Sequence, residues 1–200
     1  MYLKKFFIAV LFVITIFANS ALAENKEVPF NLQVQHFFTA LEYDNNFKTR
    51  MDDTLIIGIL YFPEEANSRR EALELYKALM AYKSKTLDNL QMSAFLFSSS
   101  SISSLERIIS IDKIDLINIS SGRKSIIRNM TKVTQSKKVF SFTSHPDYVS
   151  ECGVSMAVGY KENNQKIYLN LSSAKAEGAD FSAKFLRVAN IVDKKEKGKK

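Results

Sequence analysis

Hydrophobic positions along the chain follow two periods. Phe30, Val34, Phe37, Phe38 and Leu41 share one helical face, with Pro29 where the first turn begins. The polar stretch 44–53 ends that helix. Leu55 to Phe62 is a continuous apolar run stopped by Pro63, which predicts a strand covered on both faces. From Glu64 to Lys83 the helical period returns through Ala72, Leu75, Tyr76, Leu79 and Met80, with Glu64 and Glu65 at its favourable end. The alternation then continues. Strands are predicted over 92–97, 114–119 and 139–142. Between them, helical faces carry Ile102, Leu105, Ile108 and Ile109, then Ile126, Ile127, Met130 and Val133. The serines at 98–101 offer a cap for the first of these helices.

The last third changes period. Val154, Met156, Val158 and Tyr160 alternate with smaller or polar residues, and Ile167, Leu169 and Leu171 alternate again beyond Asn163-Asn164. Two alternating runs about such a turn predict an antiparallel hairpin. A short helix over 172–177 stops at Gly178, and Phe181, Phe185, Leu186 and Ala189 mark a final helix. The whole pattern predicts an α/β fold. Its mostly parallel sheet is flanked by helices on both faces, with a C-terminal antiparallel hairpin and two short helices.

Composition narrows the chemistry. The 200 residues hold one Cys and two His, too few for a disulfide scaffold or a zinc site, so no metal is expected. No phosphate-binding or dinucleotide-binding glycine pattern occurs, so no cofactor is expected either. The net charge of +7 first suggests a nucleic-acid partner, but the charge is unevenly placed. Residues 1–23 read as a secretory signal peptide: Lys4 and Lys5, an apolar run from Phe6 to Phe17, and Ala21-Leu22-Ala23 before the cut. Residues 193–200 form a basic tail of five lysines and two acids. The remaining domain, 24–192, carries 21 basic and 19 acidic side chains. A nearly neutral exported domain is a poor nucleic-acid binder, and after cleavage no segment is long enough to span a membrane.

Four features carry candidate chemistry. Ser144-His145-Pro146-Asp147 lies close to Glu151 and Cys152, so a thiol, an imidazole and carboxylates share one loop. Catalysis or metal binding needs convergent geometry that one loop seldom supplies, and the favoured reading is turn chemistry in a non-enzymatic protein. Ser120-Ser121-Gly122-Arg123-Lys124-Ser125 joins a strand to a helix, as an anion-holding turn or an ordinary capped one. Cys152 is either a buried small hydrophobe or half of a disulfide between two copies. His36 reads as a packed residue of the first helix.

The stretch 140–190 is the most distinctive. Phe142 to Tyr148 leads into Glu151-Cys152-Gly153-Val154. Lys166-Ile167-Tyr168-Leu169-Asn170-Leu171, Ala174-Lys175-Ala176-Glu177-Gly178 and Phe181 to Ala189 follow. These segments resemble the YfiR-like family of periplasmic proteins, with Cys152 where the family carries the first of two glycines. The resemblance implies a periplasmic regulator without enzymatic activity. Such a protein binds the periplasmic part of an inner-membrane signalling protein, a diguanylate cyclase or a sensor kinase. It thereby holds down cyclic di-GMP and biofilm formation, and a homodimer is expected. It carries over no catalytic residue. Partner or dimer contact is expected in the 143–153 loop, at His145, Asp147, Tyr148 and Cys152. The alternative is a periplasmic small-molecule sensor binding beyond the carboxyl ends of the parallel strands.

Overall fold

The computed structural model describes residues 27–83, 91–99 and 101–192. The expected export signal and the basic tail lie outside them. Within them run α1 (Phe30–Leu41), α2 (Phe47–Arg50), β1 (Thr54–Tyr61), α3 (Ser68–Lys83), β2 (Gln91–Ser98) and α4 (Ile102–Asp112). Next come β3 (Leu116–Ile119), α5 (Lys124–Lys137), β4 (Phe140–Thr143), α6 (Pro146–Glu151) and β5 (Met156–Lys161). The chain continues with β6 (Asn164–Leu169), α7 (Leu171–Ala176), α8 (Ala183–Leu186) and β7 (Asn190–Ile191).

The strands form one seven-stranded sheet in the order β2-β1-β3-β4-β5-β6-β7. Strands β1 to β5 pair in parallel, β5 and β6 pair antiparallel, and β7 returns parallel to β6. The predicted α/β class is therefore present, with helices on both faces and the hairpin near one edge. The hairpin turns at Glu162 (φ 51°) and Asn163 (φ 64°), whose left-handed backbone suits a two-residue turn between twisted strands.

Two buried clusters sit on the two faces of the sheet. Val34, Phe37, Phe38 and Leu41 of α1 join Leu75 and Leu79 of α3 over Leu55, Ile57 and Ile59. The ring of Phe37 lies 3.9 Å from that of Phe142, stacked, which docks α1 onto β4. On the other face Leu105 and Ile109 of α4 and Ile127, Met130 and Val133 of α5 cover Leu60, Ile117 and Ile119. Strands β3 and β4 are buried at every position, and the polar Ser141 and Thr143 of β4 are hydrogen-bonded, to Glu177 and Ile119 O.

Several expectations are corrected. Helix α3 begins at Ser68 instead of Glu64, because turns fill 63–67 and the Ser68 hydroxyl accepts from Phe62 N at 3.0 Å. The polar stretch 44–53 contains α2. Much of the 143–153 loop is α6, opened by Pro146. The last helix is only four residues, and β7 follows it.

Candidate functional site

Strands β1 to β4 all end on one edge of the sheet. From β1 the chain passes to β2 on one side, and from β3 to β4 on the other, so the strand order reverses between β1 and β3. Connections diverge there, and in an open α/β sheet this is the usual ligand position. The loops reaching it are 62–67 after β1 and 120–123 after β3, joined by 144–145 after β4.

Glu71 is the centre of this edge. It lies on the inner face of α3 and is 7% exposed. Its Oε2 accepts from Ser121 N at 2.9 Å and stands 3.0 Å from His145 Nε2. Burial opposes ionisation of Glu71, but His145 and the Ser121 amide outweigh it and hold the carboxyl below its ordinary value. Burial likewise disfavours the His145 imidazolium, and the Glu71 carboxylate outweighs it, raising the imidazole pKa. The turn weighed as an anion site thus already holds an anion, the chain's own Glu71.

Tyr148 closes the other side. Its hydroxyl accepts from Gly122 N at 3.1 Å and donates to Gly122 O at 3.0 Å, and its ring packs 4.8 Å from that of His145. Beneath the turn lies the buried ring of Phe62. A Cβ on Gly122 would stand 2.5 Å from the Phe62 ring, so glycine is required for this close approach. The Ser121 hydroxyl is buried beside Glu71 and helps to hold that carboxyl below its ordinary value. At the rim, Arg123 faces Glu65 at 3.9 Å, while Lys124 bridges Asp147 at 2.8 Å and Glu151 at 3.0 Å.

His145 and Tyr148 therefore belong to the network, and Asp147 is an exposed rim residue paired with Lys124. Cys152 is 3% exposed in the second buried cluster, where burial raises its thiol pKa. Neither imidazole hydrogen-bonds a hydroxyl or thiol among the described residues: His145 meets Glu71, and His36 Nε2 stands 2.7 Å from Gln165 Oε1. No group of three or more His, Cys, Asp or Glu suited to a metal occurs among the described residues. Of these residues Glu71 was missed, whereas Ser121 lies in the turn already weighed as an anion site. The signal was an acid among Ser68, Ala72, Leu75 and Leu79 on the buried face of α3.

Neither a protein-family model nor a curated protein matches the chain. Solved structures do. A conserved domain protein from Vibrio cholerae shares 16% identity at TM-score 0.56, over 82% of this chain and 60% of that one. The ligand-free, open form of CD0873, a substrate-binding protein with adhesive properties from Clostridium difficile, shares 16% at 0.50, over 79% and 60%. The ABC domain in complex with L-Trp from Streptococcus pneumoniae shares 17% at 0.51, over 82% and 62%. At such identity the likeness is one of fold: a mostly parallel α/β domain similar to part of each of these proteins. The chain spans about 60% of their length.

Proposed function

We propose that the protein is an exported binding domain whose small, polar ligand sits at the β1/β3 reversal. One observation carries this reading. A buried Ser121 hydroxyl and the Glu71–His145 pair meet at the point where open α/β sheets bind ligands. The rim pair of Arg123 and Glu65 offers one charge of each sign, which suits a zwitterion of amino-acid size. The named neighbours, a substrate-binding protein and a domain holding L-Trp, support the same class. Export rests on residues 1–23.

Thermal unfolding against the twenty amino acids, each at about 10 mM, tests it. A bound ligand at a thousandfold excess over its Kd adds roughly 4 kcal/mol, a shift of several degrees in Tm. The reading expects at least one such shift, lost in Ser121→Val. A panel without effect contradicts it.

A second reading follows from the YfiR-like segments. Phe62 and Tyr148 are buried at this edge, and the charged side chains of Lys124, Asp147 and Glu151 lie around it, which favours contact with a protein surface. The partner is then a membrane signalling protein, held in one state by differential affinity. Co-purification from detergent-solubilised membranes separates the two readings: a retained membrane protein favours this one.

A further inference from the structure

A second concave site lies elsewhere, on α5. A groove of about 650 Å³ opens between α5, the turn after α6 and the start of α7, sharing no residue with the sheet edge described above. Its lining contains neither an aromatic nor an aliphatic side chain, and no carboxylate. Arg128 and Lys132 stand one helical turn apart and bring two positive charges to it. Arg128 uses only Nε, which donates to Glu151 O at 2.9 Å. The side chains of Lys132, Asn129 and Ser172 have no hydrogen-bond partner among the described residues. At the floor, Gln135 Nε2 donates to Ser173 Oγ at 3.3 Å, and Gly153 leaves the base open.

This chemistry selects its occupant. A protein partner needs an apolar patch to bury, which the groove lacks. A neutral sugar would favour an aromatic platform, also absent. Two cations with no carboxylate in the lining attract an oxyanion, and free amide and hydroxyl groups match hydroxyls on the body that carries it. The volume suits a small molecule. We propose that this groove binds a phosphorylated or carboxylated polyol. Arg128 and Lys132 take the anionic group, and Asn129, Gln135 and Ser172 take the hydroxyls.

Calorimetric titration of the purified protein with sn-glycerol 3-phosphate and with D-gluconate tests this, with glycerol and myo-inositol as neutral controls. At least one anion binds with a Kd below about 1 mM, and neither neutral polyol does. Which anion binds separates a phosphate ester from a sugar acid. Lys132→Glu leaves the Tm unchanged, since the side chain holds nothing in place, and weakens binding at least about tenfold. Lys132→Arg retains it. The proposal is overturned if neither anion binds, if the neutral polyols bind equally, or if Lys132→Glu binds as the parent does.

Discussion

Glu71 Oε2 and His145 Nε2 stand 3.0 Å apart, joining the first turn of the sheet's first crossover helix to the loop after β4. The two residues are 74 positions apart in sequence, so this contact exists only in the folded chain. It therefore gives the edge of the sheet a pH dependence. Folding raises the pKa of His145 above 6.5, so its contribution is complete below 6.5 and is lost as pH rises through the folded value. Folding lowers the pKa of Glu71 below 4.5, so its contribution is complete above 4.5 and is lost as pH falls through the folded value. Both hold fully between those reference values. Glu71→Gln lowers stability by about 1–3 kcal/mol there, and the deficit narrows at pH 8. A deficit that stays constant from pH 5 to 8 contradicts the pairing.

Gly122 and Phe62 form a packed pair at the same edge. Gly122→Ala forces the ring aside and costs about 1–3 kcal/mol. In denaturant unfolding, Phe62→Leu costs stability alone yet recovers part of the Gly122→Ala loss in the double variant. Simple additivity would show that the two do not touch.

Glu177 is a structural carboxylate under α5. It is fully buried and takes hydrogen bonds from Ser141 N at 2.8 Å, Ser141 Oγ at 2.7 Å, and the Thr134 and Ser155 hydroxyls at 2.5 Å each. Burial nonetheless pushes its pKa up to about 7 from 4.5. The folded state holds this proton more tightly than the unfolded one, so stability falls as pH rises from 4.5 through 7. Glu177→Gln keeps an acceptor for the Ser141 amide and removes that titration. The variant therefore gains on the parent by up to roughly 3 kcal/mol between pH 4.5 and 8. A parent-to-variant difference flat in pH refutes this.

Cys152 is enclosed by the second cluster, with a thiol less acidic than usual. Iodoacetamide labels it slowly in the folded protein and quickly in urea. A disulfide-linked pair on a non-reducing gel of native protein would mean that the thiol is open to another copy.

Much of the fold was legible because it rests on local periods. Leu55 to Phe62 reads as a buried strand, and it is one, between β2 and β3. The hairpin is equally legible, since alternation on either side of Asn163 leaves no other pairing in register. What was illegible is long-range or short. Strand β7 has two residues, too few for a period, and Val192 N fixes it by donating to Leu169 O at 2.8 Å. The site divided in the same way. His145 and Tyr148 were singled out as an unusual loop cluster, but their partners Glu71 and Gly122 come from other crossovers. Only the sheet order brings these together.

Ligand binding at the β1/β3 reversal can be observed residue by residue. Nitrogen-15 chemical-shift mapping tests it most directly, using the amino acid that gives the largest thermal shift. Saturable shifts are expected, concentrated at the amides of Ser121 and Gly122 and in the loop 62–67, all absent in Ser121→Val. Shifts confined to other surfaces, or none at saturating concentration, would contradict it.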